Sequence, residues 1–316
     1  MIKVSQCPSC SSERISIKKE YKFVKPEYEN YTDCSTYTQR RLWILFKHIL
    51  SGEDSLVFTM CHCENCDLMF SNPRFQEDEI EKKYKFLVDI SSTIDEYKSK
   101  PLLYVEKRAQ RIFDLIDGFS HDFKLTKKIE IADVGGQFGN NLSKFSPSRW
   151  NKNIIDYEKY NLYDDIDYIY PDWDNIQNKF DVIITNHTVE HMSFPFESLS
   201  KIIEKLRNDG ILYIEVPLGA FREAYNVKEP LTHFNFYSEK SILNLIIELG
   251  LNPLYLNTSY QWVTDHAEYC LNIVAMKTAQ SSYCGRVQSS KDVKYKPSYY
   301  LPLILKKLIG TDLFAK

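Results

Sequence analysis

The chain has 316 residues, which is more than one average domain needs and enough to bury a sizeable hydrophobic core. Its 40 basic and 43 acidic residues give a net charge of −3. This balance excludes the strongly basic surface of a general nucleic-acid-binding protein. Neither a signal peptide nor an apolar run of roughly 18 residues is visible, so we expect a cytoplasmic protein without a transmembrane segment.

Two cysteine pairs lie in the N-terminal part, in CPSC at 7–10 and in CENC at 63–66. In a reducing compartment, two Cys-x-x-Cys pairs favour a metal over disulfides, although a redox pair or buried thiols remain the alternative. Four thiolates complete a tetrahedral zinc site without an open position, which is typical of a structural site. The predicted ligands are Cys7, Cys10, Cys63 and Cys66. Within CHCENC, Cys61 and His62 compete with Cys63 as ligands.

The chain divides into four segments by composition. Residues 1–80 form a zinc-binding module that closes on SNPRF, and residues 81–120 form a connecting segment with helical spacing in YVEKRAQRIFDLIDGF. Residues 121–278 carry the strand and helix signals of an α/β domain. Residues 279–316 form a tail that contains LPLILKKLIG, for which packing on the protein competes with peripheral contact to a membrane surface.

Apolar runs bounded by polar turns predict seven strands in the α/β domain. They are 129–134, 153–157, 166–170, 180–186, 210–216, 253–259 and 271–277. Helical spacing between them predicts helices at 139–146, 195–207 and 238–249. Strands that alternate with helices are typical of a parallel, doubly wound sheet, which binds its ligands at the carboxyl ends of the strands.

A glycine-rich turn follows the first of these strands, in IEIADVGGQFGNN. Glycines there let the backbone approach a ligand, and a following helix offers free amides, although such a turn can also be only a tight connection. Asp156 follows Gly135 by 21 residues, after the next strand. A carboxylate in that place suits hydrogen bonds to ribose hydroxyls, with Glu158 as the second choice.

Polar residues also follow the fourth and fifth strands. HTVEH places His187, Glu190 and His191 after FDVIITN, and His233 follows the fifth strand in LTHFNFY. Histidine titrates near neutrality and suits a general base, and a carboxylate can orient it. The competing interpretation is that Glu190 and His191 only cap and pack the start of the next helix.

Several of these segments together resemble class I S-adenosylmethionine-dependent methyltransferases, over about 125–277. The segments are DVGGQFG, the stretch from FDVIITNHTVEH to GILYIEVP, and LTHFNFYSEKSILNLIIELGL. The resemblance implies a Rossmann-like, seven-stranded, mostly parallel sheet with helices on both faces, preceded by the small zinc-binding domain with its four cysteine ligands. One departure is Gln137, which stands where the family's D-x-G-x-G-x-G has its middle glycine.

The resemblance also implies which residues hold S-adenosylmethionine. Asp156 would bind the ribose, and Asp172 and Asp174 would lie on the adenine side. The rest of the expected cofactor site is Asp133, Gly135, Gly136, Gln137, Gly139 and Asn186.

A Cys-x-x-Cys module with an NPR-like exit resembles that of methyltransferases acting on nucleotide-linked or surface-polysaccharide sugars. The sequence therefore predicts methylation of a small-molecule or glycan acceptor, with a base from His187, Glu190 or His233. Tyr213, Phe221 and Tyr225 are candidates to line the acceptor pocket. The alternatives are quinone-type O-methylation, in which Glu190 and His191 hold a divalent cation, and a non-catalytic binding protein whose cofactor site is disabled by Gln137.

Overall fold

The computed structural model describes residues 1–90, 103–120, 128–160, 163–218, 224–262 and 267–278. These residues form two sheets, one of four strands and one of seven. Phe221 and the tail at 279–316, both named in the sequence predictions, lie outside the described residues. Among the described helices, none is long and apolar enough to cross a membrane.

The smaller sheet carries the cysteine pairs. Its strands are β1 (Ile15–Val24), β2 (Ser55–Cys63), β3 (Met69–Asn72) and, from much later in the chain, β9 (Asn235–Phe236). They pair antiparallel in the order β1-β2-β3-β9. The insertion between β1 and β2 contains helix α1 (Tyr37–Ile44), which continues into a π-helical turn at Leu45–Ile49.

The larger sheet confirms the predicted Rossmann-like fold. Its strands are β4 (Ile129–Val134), β5 (Trp150–Ile155), β6 (Ile166–Ile169), β7 (Phe180–Asn186), β8 (Leu206–Pro217), β10 (Asn252–Trp262) and β11 (Ala267–Met276). They lie in the order β10-β11-β8-β7-β4-β5-β6, and β11 runs antiparallel to both of its neighbours. The strand order reverses at β4, between β5 and β7, and such a switch point opens a ligand crevice at the carboxyl ends of the strands.

Helices cover both faces of this sheet, because side chains of the buried strands alternate in direction. On β7, Ile183 packs in the cluster that contains helices α4 (Pro195–Glu204) and α5 (Glu239–Glu248). Its neighbours Val182 and Ile184 pack on the opposite face, against helix α3 (Leu103–Ser120). Helix α2 (Glu77–Ile90) connects the smaller sheet to this domain.

The ends of α5 confirm the predicted start and stop signals. Ser238 is the N-cap, and its hydroxyl accepts a hydrogen bond from the backbone N–H of Ser241. Gly250 follows the helix with φ of +72°, a conformation that costs glycine little and other residues more.

The helix predicted at 139–146 is wrong. One 3₁₀ turn, Asn140–Leu142, stands in its place. Pro147 disfavours helical backbone at Ser146, so a helix begun after Gly139 has no more than about six residues in which to propagate. Leu142 and Phe145 are nevertheless buried in the cluster around α3, so tertiary packing rather than a helix holds this crossover.

The two sheets share one hydrophobic core. The cluster that contains Leu199 of α4 and Ile242 of α5 also contains Cys7, Cys66 and Leu68 from the cysteine-bearing part. Strand β9 adds backbone pairing, because Phe236 stands opposite Met69 and Asn235 opposite Phe70. The cysteine-bearing sheet is therefore docked firmly on the helices that follow β7 and β8.

Candidate active site

A cleft of about 290 Å³ opens at the carboxyl ends of β4, β5 and β7, at the predicted switch point. Ile80 and Tyr84 of α2 form one wall, and Trp173 lines the part next to β6. Gly135, Gln137, Asp156, His187 and His191 all line this cleft, so residues from three separate segments of the sequence converge as expected.

The glycine turn at the cleft has no room for side chains. A Cβ on Gly135, whose φ is +73°, would lie 2.7 Å from the Thr188 hydroxyl oxygen. A Cβ on Gly136 would lie 2.7 Å from Oδ2 of Asp133. The turn therefore packs tightly against the loop that follows β7, and this packing brings the two loops to the same cleft.

Asp133 and Asn186 are buried beside this turn, and Asn141 joins them. Asn141 donates to Asp133 Oδ2 at 3.0 Å and accepts from the Asn186 side-chain amide at 3.2 Å. Burial raises the pKa of Asp133 to about 7. Within the described residues, Asp133 Oδ1 and Asn186 Oδ1 have no hydrogen-bond partner, and such buried oxygens suit the donors of a polar ligand.

Asp156 lies directly after β5 with its carboxylate turned toward the glycine turn. It accepts from the backbone N–H of Gln137 at 2.9 Å and from that of Tyr157 at 2.7 Å. Gln137 adopts φ of +45°, which is uncommon for a residue with a side chain. The backbone rather than the side chain of Gln137 therefore holds the turn against the carboxylate. Glu158 lines the same cleft.

Asp172 and Asp174 do not lie where the resemblance implied. Both side chains are exposed to solvent, and the cleft is lined by Pro171 and Trp173 from the same segment. The alternation along this loop turns the tryptophan ring inward and the carboxylates outward. Trp173, which the sequence analysis did not single out, therefore lines this part of the cleft in place of the two carboxylates.

His187 is held between two buried carboxylates. Its Nδ1 lies 3.3 Å from Glu190 Oε1, and its Nε2 lies 3.2 Å from Glu215 Oε1. Burial opposes a charge on this ring, but contacts with Cys270, Glu190 and Glu215 outweigh it and raise the pKa of His187 well above 6.5. His187 is therefore an imidazolium near neutral pH and holds no free lone pair for a proton.

His191 and His233 lie together on the other side of Glu190, with ring centroids 4.9 Å apart. The His191 Nδ1–H donates to the carbonyl of Thr232, and its Nε2 lies 3.8 Å from Glu190 Oε1. Burial lowers the pKa of His191 to about 3 and that of His233 to about 4. Both rings are therefore neutral near pH 7, in contrast to His187.

Two further charged residues, Arg111 and Lys83, contribute to the site and were not predicted from the sequence. Arg111 donates to Glu215, which makes Glu215 a bridge between α3 and His187. Lys83 of α2 is buried with its ammonium 4.8 Å from the centre of the Phe234 ring, and burial lowers its pKa to about 7. Neither residue stands in a motif, since only the folded chain brings these helices to the loops after β7 and β8.

Two of the aromatic candidates for the acceptor pocket, Tyr213 and Tyr225, lie in the described residues, and neither lines the cleft. Tyr213 is fully buried, and its hydroxyl donates to Glu215 at 2.7 Å, so its ring is part of the core. Tyr225 is 48% exposed. These placements correct the expectation that Tyr213 contacts an acceptor.

The four predicted cysteines converge on one point. The sulfur atoms of Cys7 and Cys66, and those of Cys10 and Cys63, lie 3.6 Å apart, and all four lie within 4.8 Å of one another. Tetrahedral Zn–S bonds of about 2.3 Å separate the sulfurs by roughly 3.8 Å, so the donor set fits a zinc ion. Cys61 is not in the cluster. His62 instead contacts Asp67, at 2.8 Å.

The sequence profile of a family described as a methyltransferase domain matches residues 104–256. That match covers the glycine turn, strands β4 to β8 and most of the residues that line the cleft, but not those of α2. No curated protein matches the chain. Residues 104–256 thus match a methyltransferase domain, and the strand order of the larger sheet agrees with that match.

Several solved methyltransferases are distantly similar to the chain. The N-methyltransferase NodS of Bradyrhizobium japonicum, solved with S-adenosyl-L-homocysteine, is 13% identical over 62% of this chain and 98% of its own, with a TM-score of 0.46. The 1,6-didemethyltoxoflavin-N1-methyltransferase of Burkholderia thailandensis is 11% identical over 68% and 96%, with a TM-score of 0.49. Magnesium protoporphyrin IX methyltransferase of Synechocystis is 13% identical over 62% and 100%, with a TM-score of 0.43. None of them assigns an acceptor to this chain.

Proposed function

We propose that this protein methylates an oxygen or carbon atom of a sugar or sugar-like acceptor, as a free or nucleotide-linked sugar or within a glycan. The observation that carries the proposal is the convergence of Glu190, His191 and His233, because His191 lines the same cleft as Asp156 and the glycine turn. A site of this kind places a nucleotide-like cofactor close to side chains that can accept a proton.

The cleft residues fit S-adenosylmethionine. Asp156 would accept from the ribose hydroxyls, Trp173 would stack on the adenine, and the buried oxygens of Asp133 and Asn186 would accept from the cofactor's donors. The glycines at 135 and 136 let the turn pack tightly against Thr188 and Asp133, which keeps it at the cleft. When bound, the cofactor supplies an electrophilic methyl group.

His233 is the residue that takes the proton from the acceptor. Its neutral ring has a free nitrogen near pH 7, whereas His187 is already protonated between its two carboxylates. As the acceptor atom forms its bond to the methyl group, its proton passes to His233. Glu190, paired with His187, orients the histidines and stabilises the imidazolium that forms.

The sugar class rests on the resemblance of the cysteine-bearing module, and a contact between this module and the residue next to His233 supports it. Thr232, next to His233, contacts Tyr37 of α1, whose hydroxyl lies 3.2 Å from the Thr232 hydroxyl. Residues inserted between the two cysteine pairs thus reach the site where the acceptor enters. We assign a structural zinc ion to Cys7, Cys10, Cys63 and Cys66. We also propose that the chain divides into segments at 1–80, 81–120, 121–278 and 279–316.

The test is an incubation with S-adenosylmethionine and panels of nucleotide-linked sugars, quinones and catechols, read by mass spectrometry. The proposal predicts that a sugar gains the mass of one methyl group. Methylation of quinones or catechols alone would contradict the sugar assignment. If the protein bound S-adenosylmethionine but methylated no acceptor in the panels, the cofactor would be established and the sugar assignment would be contradicted.

A further inference from the structure

Arg74, at the end of the cysteine-bearing sheet, is buried without a carboxylate partner. Its exposed fraction is zero, and among the described residues no acidic side chain forms an ion pair with it. Burial lowers the pKa of its guanidinium to about 10, so the group still carries its charge near neutral pH. A buried charge is costly unless hydrogen bonds compensate it.

Compensation comes from hydrogen-bond acceptors on three segments of the chain. The five N–H groups of a guanidinium have five partners here. Nε donates to the Ser193 carbonyl, Nη1 to the carbonyls of Ser71 at 3.2 Å and Phe234 at 3.4 Å, and Nη2 to the Met192 carbonyl at 3.1 Å and the Asn235 side chain at 2.7 Å. Every donor is used, so the guanidinium determines where these carbonyl groups lie.

These acceptors flank the two neutral histidines of the proposed site. Met192 follows His191 directly, and Phe234 follows His233. Asn235 extends the connection, because its side-chain amide donates to the carbonyls of Val189 at 3.3 Å and Met192 at 2.7 Å. Arg74 and Asn235 therefore tie together the loops that follow β7 and β8.

We propose that Arg74 is a positioning residue for methyl transfer: it sets the separation of His191 and His233 and couples their placement to the cysteine-bearing sheet. This proposal rests on the proposed function, in which those histidines receive the acceptor's proton. The docking of the two sheets then affects catalysis, because Arg74 follows Pro73 just after β3 of the cysteine-bearing sheet.

The test compares Arg74→Lys and Arg74→Met with wild type, and uses Arg149→Lys as the matched control. Lysine keeps the charge but has three donors and no planar fork. Arg149 also makes two side-chain hydrogen bonds, to Asp117 and Ser120, but lies beside α3 rather than beside the histidines. For Arg74→Lys we expect kcat to fall by about a hundredfold, with cofactor Kd within about threefold of wild type, as a displaced base costs rate more than binding.

Titration of the histidines by NMR gives a readout that needs no acceptor. Glu190, His187, Lys83 and Arg41 surround His233, and burial keeps the pKa of His233 at about 4 in the wild type. In Arg74→Lys we expect this pKa to rise by about one to two units toward 6.5, because loosened loops admit water. Arg149→Lys should leave it unchanged.

The two readouts separate the possible failures. If wild type shows no turnover, the proposed function fails while the NMR titration still decides the role of Arg74. Unchanged kcat together with an unchanged His233 titration in Arg74→Lys would overturn the proposal. If Arg74→Met does not fold, Arg74→Lys alone decides, provided that its melting temperature stays close to that of wild type.

Discussion

Three histidines that surround Glu190 differ in charge because their surroundings differ. His187 touches two carboxylates, whereas His191 and His233 are buried with Glu190 as the carboxylate that favours their charged forms. The sequence shows that histidines follow two strands, but it does not show which histidine the fold places against a carboxylate of another strand. Glu215, which helps to raise the pKa of His187, lies within an apolar run and was therefore not singled out.

Replacement of His233 by alanine should lower turnover while leaving cofactor affinity nearly unchanged. A base of pKa about 4 is weak at neutral pH, so we expect a loss of about a hundredfold, at the low end for general bases. For wild type, kcat/KM should be flat near neutrality and fall as the pH drops through about 4, where His233 becomes protonated.

The pH profile of the His233→Ala variant should lose that acidic limb. His48→Ala is the matched control, because His48 stacks on Phe86 and does not line the cleft, so this variant should keep both the turnover and the acidic limb of the pH profile. Equal turnover of His233→Ala and wild type would show that catalysis here works by alignment alone.

Asp156→Ala should weaken S-adenosylmethionine binding by about 1.5–3 kcal/mol, the range for hydrogen bonds to a charged group. The carboxylate also holds the backbone of Gln137, so its loss loosens the turn as well. Isothermal titration calorimetry measures the effect, with Glu158→Ala as the comparison. If Glu158→Ala lost more cofactor affinity than Asp156→Ala, Glu158 rather than Asp156 would be the ribose contact.

At the scale of elements, the strand pattern was predictable and one crossover was not. Buried strands appear as apolar runs wherever both sheet faces are covered, and all seven predicted strands are present, two with the predicted ends and five with shifted ends. The helix predicted after Gly139 is absent because the apolar residues there pack singly under α3 instead of forming a helical face. Helices α4 and α5 carry strong periodicity and cap signals, and the structure confirms both with only small shifts at their ends.

Gln137→Gly should be tolerated by the glycine turn. Glycine adopts positive φ without strain and keeps the backbone N–H that Asp156 accepts, so cofactor affinity should stay within about threefold of wild type. Gln137→Val places a β-branched side chain at the same φ of +45° and should bind the cofactor more weakly and melt lower. If Gln137→Gly lost most of its affinity, the glutamine side chain itself would contact the cofactor.

At the scale of the whole molecule, the sequence predicted two functional parts but not how they join. Cysteine spacing predicted four sulfurs that do lie together, because a Cys-x-x-Cys turn is a local feature. The docking of that sheet depends on contacts between residues far apart in sequence, such as Arg74 with Met192 and β3 with β9. Pro73-Arg74 looked like an exit from a module, whereas Arg74 is buried at the centre of the interface.

We expect about one equivalent of zinc per chain in protein purified without added metal. Cys10→Ser should lose the metal and lower the melting temperature, because this part of the core is shared with α4 and α5. Cys34→Ser is the control, since Cys34 is also a free thiol, more deeply buried than Cys10, but lies outside the cluster. Metal analysis that finds less than about a tenth of an equivalent in freshly purified, folded wild type would refute the site.

The measurement that tests the central claim most directly is calorimetric titration of the purified protein with S-adenosylmethionine. The cleft at the switch point, with Asp156 and the glycine turn, predicts one site per chain with micromolar affinity, weakened by Asp156→Ala. Folded, zinc-loaded protein that binds no S-adenosylmethionine would contradict the claim, and would indicate a non-catalytic protein that retains the fold.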